Sequence, residues 1–341
     1  MIEANTVFVI GAGASAEIGL PLGAGLRDAV QTRLSFAIRR GHATGGDQEL
    51  FEVLRRTELS SATDSFASIK SAVQSVSSGM SGFPSVDRFL DFHREDEALV
   101  NILKMTIGKI IWEKEAASAL SDSSRQSKAM ELSQWWLARL LMLICDGVQK
   151  SDLECVFQHI TFVIFNYDRC VEEFLFRAIQ NTLALKADEA AALLSSLHVF
   201  HPYGSLGPLP WQPTAGNITS VPFGKPDPGK LALISGSLNT FTQGCQDRSV
   251  IDAIHSAIIN ARRLVFLGFG FLRMNLKFLS PELSLLRDLN RDVLGSAFEM
   301  PEDDRELAST FLQRRFSTSN VKLVNLRAKE VIEQHSWRLT L

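Results

Sequence analysis

The sequence predicts an α/β protein, a doubly wound parallel sheet carrying a large helical insertion. Three observations lead there. Short apolar runs recur with the length of buried strands, beginning with Val7-Phe8-Val9-Ile10 and returning at 160–165, 198–203, 263–271, 293–298 and 321–326. Segments with helical spacing separate the later runs, and strands alternating with helices specify a parallel sheet wound on both faces. Between 41 and 155 the strand pattern stops and helical stripes take over. The expected organisation is a sheet domain built from 1–40 and 156–341, with 41–155 as the insertion.

The first run ends in Gly11-Ala12-Gly13-Ala14-Ser15, and a helix pattern follows. Glycine permits a tight turn and lets backbone N–H groups approach a ligand closely. The free N–H groups and dipole of a helix start attract phosphate. A dinucleotide pyrophosphate is therefore expected on residues 11–16. Bare strand–turn–helix packing accounts for the same residues. After Leu20-Pro21-Leu22-Gly23-Ala24-Gly25, the pattern predicts a helix over 26–40, a loop over 41–46 and a short helix over 48–56. The Ser- and Ala-rich stretch 57–82 reads as a loosely packed helix or a loop. Ser85 is placed to cap a helix with Val86, Phe89 and Leu90 on one face. Apolar stripes predict core helices over 98–113 and 135–148.

The β/α rhythm resumes at 160–165, a strand ending in Asn166-Tyr167-Asp168, with a helix from Val171. A helix over 188–197 leads to the strand 198–203 and then to Gly204-Ser205-Leu206-Gly207. Residues 207–230, rich in Pro and Gly, read as a long surface loop, and 231–234 as a short strand. A helix over 250–262 feeds the strand 263–271, whose end carries Gly268-Phe269-Gly270. A helix near 282–290 precedes the weak strand 293–298, and a helix over 301–315 precedes the last strand, 321–326.

Composition narrows the function. The 341 residues carry a net charge of -3, so nothing electrostatic favours nucleic acid or an anionic membrane. The cysteines at 145, 155, 170 and 245 form no C-x-x-C pair; no metal site is expected, and they read as reduced thiols. No signal-peptide pattern opens the chain, and no apolar run approaches the ~20 residues of a membrane helix. A cytoplasmic protein is expected, and the sequon Asn217-Ile218-Thr219 then reads as chance.

Doubly wound sheets bind ligands at the carboxyl ends of their strands. Ser15 and Glu17, Asn166 and Asp168, His201 and Tyr203, and the stretch from Gly268 to Asn275 fall at four such ends. Each has a bland explanation alone, since Asn and Asp favour turns and a lone His packs in strands. Together they predict one shared site.

The segment Gly11-Ala12-Gly13-Ala14-Ser15-Ala16-Glu17-Ile18-Gly19-Leu20-Pro21 resembles the sirtuin signature Gly-Ala-Gly-x-Ser-x-x-x-Gly-Ile-Pro. Asn166-Tyr167-Asp168 is similar to the sirtuin Gln-Asn-Ile-Asp segment, and Tyr203-Gly204 stands where sirtuins carry His-Gly. Phe165 to Asp168, Tyr203 to Gly207, Phe266 to Phe271 and Ser85-Val86-Asp87-Arg88-Phe89-Leu90 are similar to the sirtuin-like NAD-hydrolase domains of prokaryotic antiphage defence systems. The resemblance covers most of 1–30 and 160–326, with the insertion fitting as well. It implies a Rossmann-like, sirtuin-type NAD-binding fold. It also implies that NAD is a substrate, cleaved to nicotinamide and ADP-ribose by a defence effector. Carried over by position, Gly11, Ala12, Gly13, Ala14 and Ser15 hold the pyrophosphate and adjacent ribose, with Glu17 beside them. Asn166 orients the nicotinamide-side ribose or the attacking water, and Asp168 contacts the nicotinamide end. Gly204 is a further expected contact; Gly268-Phe269-Gly270, with Asn275 nearby, brings backbone close to the ligand or else serves only tight strand–helix packing. The family also implies restraint by homo-oligomer assembly or a regulatory partner protein, for which 41–155 offers the surface.

The departure from the family is the base. Tyr203 occupies the sirtuin histidine position, and a phenol with a pKa of about 10 is a poor base at neutral pH. His201 lies two residues earlier, and strand positions i and i+2 share a face about 7 Å apart. His201 is therefore expected beside Tyr203, as the base directly or through it; the alternative leaves Tyr203 bonding ribose and His201 packing. A sensor or scaffold that holds NAD or ADP-ribose without cleaving it stays open. An NAD-dependent protein deacylase is a weaker alternative, because the paired cysteines of the sirtuin zinc module are missing and Leu22-Gly23-Ala24 replaces Asp-Phe-Arg. A dehydrogenase needs a second strand ending in an acid about 20 residues past the glycines. A Walker nucleotidase needs Gly-Lys-Ser/Thr, which does not occur.

Overall fold

Continuous apolar runs form the middle of the sheet, because strands there are covered on both faces. The structure is a computed structural model describing residues 2–39, 42–58, 65–121, 133–214, 219–244, 247–286 and 290–340. Asn217, Ile218 and Cys245 lie outside the described residues. The first strand is β1 (Thr6–Ile10), and a small antiparallel hairpin of β2 (Ala37–Arg39) and β3 (His42–Thr44) follows. The main sheet adds β4 (Ile160–Ile164), β5 (His198–Phe200), β6 (Arg263–Leu267), β7 (Asp292–Ser296) and β8 (Asn320–Val324). All six of its strands are parallel, in the order β5-β4-β1-β6-β7-β8. That is the doubly wound order of dinucleotide-binding sheets, and the winding reverses between β1 and β6.

Alternation of side chains divides the core in two. Val7, Val9, Val163, Leu264 and Phe266 face one layer of helices. Phe8, Ile10, Phe162, Ile164, Val265 and Leu267 face the other. Phe8 and Phe162 are register partners and stack with ring centroids 5.4 Å apart. Helices between β1 and β4 cover both layers. On the first face lie α2 (Gly23–Arg33), α3 (Gln48–Glu58), α4 (Ser65–Gly79), α5 (Val86–Phe92) and α6 (Glu97–Ala117), following the short α1 (Ala12–Ala16). On the second lies α7 (Trp136–Cys145). The Ser- and Ala-rich stretch includes a helix because Ile69, Ala72 and Val76 form a buried stripe. Ser85 caps α5 as expected, accepting the Arg88 N–H.

The remaining helices among the described residues are α8 (Cys170–Thr182), α9 (Ala187–Leu194), α10 (Leu231–Ser237), α11 (Phe241–Gly244), α12 (Arg248–Asn260), α13 (Arg273–Leu279), α14 (Glu302–Phe316), α15 (Ala328–Gln334) and α16 (Ser336–Thr340). Several expectations need correction. The helix expected to reach residue 40 stops at Arg33, whose guanidinium pairs with Asp47 and Glu113, both at 2.5 Å. Phe36 then turns into the core against Phe51, and the chain returns through the hairpin. Residues 231–234 are helical and not a strand: Leu231 and Ile234 pack on α6, where a Cβ on Gly108 would lie 2.7 Å from Ile234 Cγ2. The described part of 282–290 holds only a 3-10 turn, Leu283–Leu285. The strand expected over 198–203 ends at Phe200, and the chain turns as the Gly204 N–H bonds the His201 carbonyl at 2.9 Å. Among the described residues no helix is long and apolar enough to cross a membrane.

Candidate functional site

The glycine turn after β1 is built against the turn after β6. The Gly11 N–H donates to the Leu267 carbonyl and the Gly13 N–H to the Gly268 carbonyl, each at 3.0 Å. A Cβ on Gly268 would stand 1.9 Å from the Ala14 nitrogen, and one on Gly11 would stand 2.5 Å from the Gly268 oxygen. Gly268 has φ of 58°, in the left-handed region. These glycines let two backbones meet at the point where the winding reverses, and two of the amides expected for phosphate are occupied by that contact. From the opposite side the indole N–H groups of Trp135 and Trp136 both donate to the Ala14 carbonyl, at 3.1 and 3.0 Å. The two tryptophans thereby fix the short helix α1, which presents Ser15.

Ser15 joins the ends of β1 and β4. The Asn166 side-chain amide donates to Ser15 Oγ at 2.9 Å, and Ser15 Oγ donates to Asp168 Oδ1 at 3.3 Å. The same carboxylate oxygen accepts the Cys170 N–H at 3.2 Å, at the start of α8. All three side chains are buried. Burial pushes the Asp168 carboxyl up from its ordinary value, and the Cys170 and Ser15 hydrogen bonds only partly oppose this. Asn166 and Asp168 line a cavity of about 60 Å³ together with Ala12, Pro21, Asp87 and Tyr167.

His201 and Tyr203 diverge. Because β5 stops at Phe200, the alternation that would place them on one face does not reach them. His201 Nδ1 faces the Asn166 carbonyl at 3.1 Å, and Nε2 faces Glu172 Oε1 at 2.8 Å. A carbonyl and a carboxylate both accept, so the ring satisfies both as an imidazolium. Burial alone would lower its pKa, but Glu172, the Asn166 carbonyl and Asp168 prevail and raise it. Tyr203 instead donates its hydroxyl to Asn275 Oδ1 at 2.5 Å, within an aromatic group that includes Phe165 at 5.6 Å.

The other expected residues scatter by role. Glu17 points to the start of α15, where its carboxylate accepts the Lys329 N–H at 3.2 Å; burial raises its pKa. Gly204, with φ of 70°, packs on the end of α10, where a Cβ would lie 2.0 Å from the Ser237 oxygen. Gly270 has nothing within 4 Å of its Cβ position.

Two features escape the sequence. The Tyr167 hydroxyl donates to Asp87 Oδ1, tying the end of β4 to α5; burial raises the Asp87 pKa against this bond. Arg169 and Glu115, 1% and 0% exposed, form a two-pronged ion pair at 2.6 and 3.1 Å that joins the site loop to α6. Arg169 also donates to the Gly207 and Val221 carbonyls, at 3.2 and 2.5 Å. The only signal for Asp87 was its place in Ser85-Val86-Asp87-Arg88-Phe89-Leu90. Nothing local marks Glu115.

The fold and site define a doubly wound α/β protein with a polar cluster where the neighbouring strands β1 and β4 end. The chain matches no family model and no curated protein. Among solved structures it is similar to a mutant Sir2 homologue in complex with 2'-O-acetyl ADP ribose, at 12% sequence identity and a TM-score of 0.39, over 100% of this chain and 95% of that one. Likeness at that level is shared by many α/β sheets and identifies no ligand.

Proposed function

We propose that this chain is a sirtuin-like NAD glycohydrolase, which splits NAD with water into nicotinamide and ADP-ribose and releases a proton. One observation carries the reading. Ser15, Asn166 and Asp168, drawn from the two motifs that resemble sirtuins, form one hydrogen-bonded group beside a cavity at the carboxyl ends of β1 and β4. Cleavage sends the glycosidic electron pair to nicotinamide and leaves positive charge at the ribose C1′ carbon. Water then adds to C1′ and gives up a proton. Asn166 is held by Ser15 through its side chain and by His201 through its carbonyl, which suits it to position ribose or water. Asp168 stabilises the C1′ charge and receives the proton, and its raised pKa brings it nearer to a working base. His201 and Tyr203 act as positioning residues in this scheme, because each is bonded elsewhere.

The cavity of about 60 Å³ takes a fragment of NAD and not the whole dinucleotide. Binding therefore requires the Pro21–Leu26 side of the cavity and the Asp87 helix to part, which suits an enzyme held at rest until an oligomer or partner protein acts on residues 41–155. The sequence resemblance alone supports a cytoplasmic antiphage effector. A binding module that holds NAD or ADP-ribose intact is the second reading, favoured by the engagement of both His201 and Tyr203.

Nicotinamide release from NAD, measured across a protein concentration series beside Asn166→Ala, separates them. The glycohydrolase predicts turnover that vanishes in the variant and rises with assembly. Saturable NAD binding without turnover at any concentration supports the module. Neither binding nor turnover sinks both.

A further inference from the structure

Glu115 stands near the end of α6, fully buried, and its two oxygens hold the site loop in place. Oε1 accepts the Arg169 backbone N–H and the Arg169 Nε–H, each at 3.1 Å. Oε2 accepts from Arg169 Nη2 at 2.6 Å and from the Gly224 N–H at 3.5 Å. The first of these contacts bears directly on the candidate site, because the Arg169 N–H belongs to the peptide that joins Asp168 to Arg169. The main chain at Asp168 is therefore held from α6, while its carboxyl is held from α1 by Ser15. Arg169 Nη1 donates to the carbonyls of Gly207, at 3.2 Å, and Val221, at 2.5 Å. Glu115 lies four residues after Ile111, on the same face of α6, and Ile111 lines the small cavity with Asp168.

Replacing a buried ion pair by apolar residues is often neutral for stability, so stability alone does not account for this one. Charge is shared here as well as position. Burial raises the Glu115 pKa, the Arg169 charge and hydrogen bonds oppose this, and repulsion from Asp168 adds to the rise. The other titratable groups near Asp168 are Glu172 and the Cys170 thiol on α8, His201 after β5 and Asp87 on α5. Glu172 is engaged by His201 and Asp87 by Tyr167, whereas Glu115 holds the peptide next to Asp168 itself. We propose that Glu115 is a positioning residue for Asp168: it fixes the peptide from which the Asp168 side chain projects and balances the charge of the neighbouring Arg169 guanidinium. The consequence for turnover rests on the glycohydrolase reading; the hold on Asp168 does not. Glu115→Gln keeps the shape and an oxygen for the Arg169 N–H. It removes one negative charge near Asp168 and leaves the Arg169 cation uncompensated. Both changes favour the Asp168 carboxylate, which then loses its proton at lower pH and is a weaker proton acceptor.

The test follows the side-chain carboxyl carbons of Asp168 and Glu115 by NMR through a pH titration of the NAD-free full chain. Glu115→Gln and the double variant Glu115→Gln/Arg169→Gln are titrated beside the parent, each first checked for an intact melting transition. In the parent, the Glu115 resonance is expected to move at the pH where Asp168 titrates. Asp168 is expected to titrate at lower pH in Glu115→Gln and to return toward the parent in the double variant, where both charges of the pair are gone. Nicotinamide release by Glu115→Gln is expected to fall about tenfold in kcat, with KM within about twofold of the parent. A purely structural pair would lower the melting temperature and leave the Asp168 titration where it was, and that result overturns the proposal. A Glu115 resonance in the parent that ignores the Asp168 titration overturns it equally, and is read even if neither variant folds. The titrations need no turnover. A shifted Asp168 in a chain that releases no nicotinamide upholds Glu115 and removes the glycohydrolase; turnover with an unshifted Asp168 does the reverse.

Discussion

The Asn166 amide donates to the Ser15 hydroxyl at 2.9 Å across 151 residues of sequence. The hydroxyl in turn donates to Asp168, so a single atom couples both residues at the end of β4. Ser15→Ala removes that coupling. Nicotinamide release is expected to fall about 10- to 100-fold, and about 100- to 1,000-fold in Asn166→Ala. Because the two share one interaction, the double variant loses less than the product of the single losses. Initial rates of the four proteins decide it; losses that multiply independently would show that Ser15 serves only the fold of α1.

Asp168 sets activity against stability. It is 4% exposed, and burial raises its pKa above the unfolded value. The folded state therefore holds its proton to higher pH, stability falls as pH rises between the two values, and the cost stands in full above the folded one. Asp168→Asn keeps an oxygen for the Cys170 N–H and removes the charge. At pH 7 the variant is expected to melt about 2–4 °C higher, for roughly 1 kcal/mol, with turnover reduced at least 100-fold. A lower melting temperature would put Asp168 among the groups that hold the fold.

Much of this was legible in sequence because it is local. Buried runs of five residues, the turn after β1 and the Ser85 cap follow from apolar spacing and side-chain chemistry alone. The four strand ends were legible as a set, and residues from them do meet: Ser15 with Asn166 and Asp168, His201 with the Asn166 carbonyl, and Tyr203 with Asn275. What was not legible depended on partners far along the chain. His201 is decided by Glu172 and the Asn166 carbonyl, Tyr203 by Asn275, and Asp87 by Tyr167. The short run 231–234 has no period of its own, and contact with Gly108 on α6 accompanies its helical form.

His201 supplies a pH dependence of its own. Its folded pKa is raised above the unfolded value of about 6.5, since Glu172, the Asn166 carbonyl and Asp168 outweigh burial. The stability gained from the charged ring is whole below that unfolded value and is lost as pH rises through the folded one. Chemical denaturation from pH 5.5 to 9 is expected to show falling stability, and His201→Gln to flatten the slope. An unchanged slope in the variant would assign the dependence to another group.

Two glycines of one turn should behave oppositely. Gly268→Ala puts a Cβ onto the Ala14 nitrogen at a left-handed φ, and is expected to cost about 3 kcal/mol or more or to prevent folding. Gly270→Ala meets nothing within 4 Å and is expected to melt within about 2 °C of the parent. If Gly270 lies against NAD, its variant binds NAD more weakly while staying folded. Melting curves and NAD titrations of both read this directly, and equal melting temperatures for the two would contradict the close approach of the β1 and β6 turns.

Tyr167 tests whether α5 restrains the site. Its hydroxyl donates to Asp87, and both residues line the small cavity beside Asn166 and Asp168. Tyr167→Phe keeps the ring and leaves the Asp87 carboxylate without that donor in a site where burial already opposes its charge. The carboxylate then gains by turning toward water, which parts α5 from the end of β4. The variant is expected to lose about 1–2 kcal/mol of stability and yet to release nicotinamide several-fold faster at low protein concentration. Faster turnover with reduced stability marks the contact as a restraint that an assembly partner relieves. Slower turnover at all concentrations would instead place Tyr167 among the residues that hold the substrate.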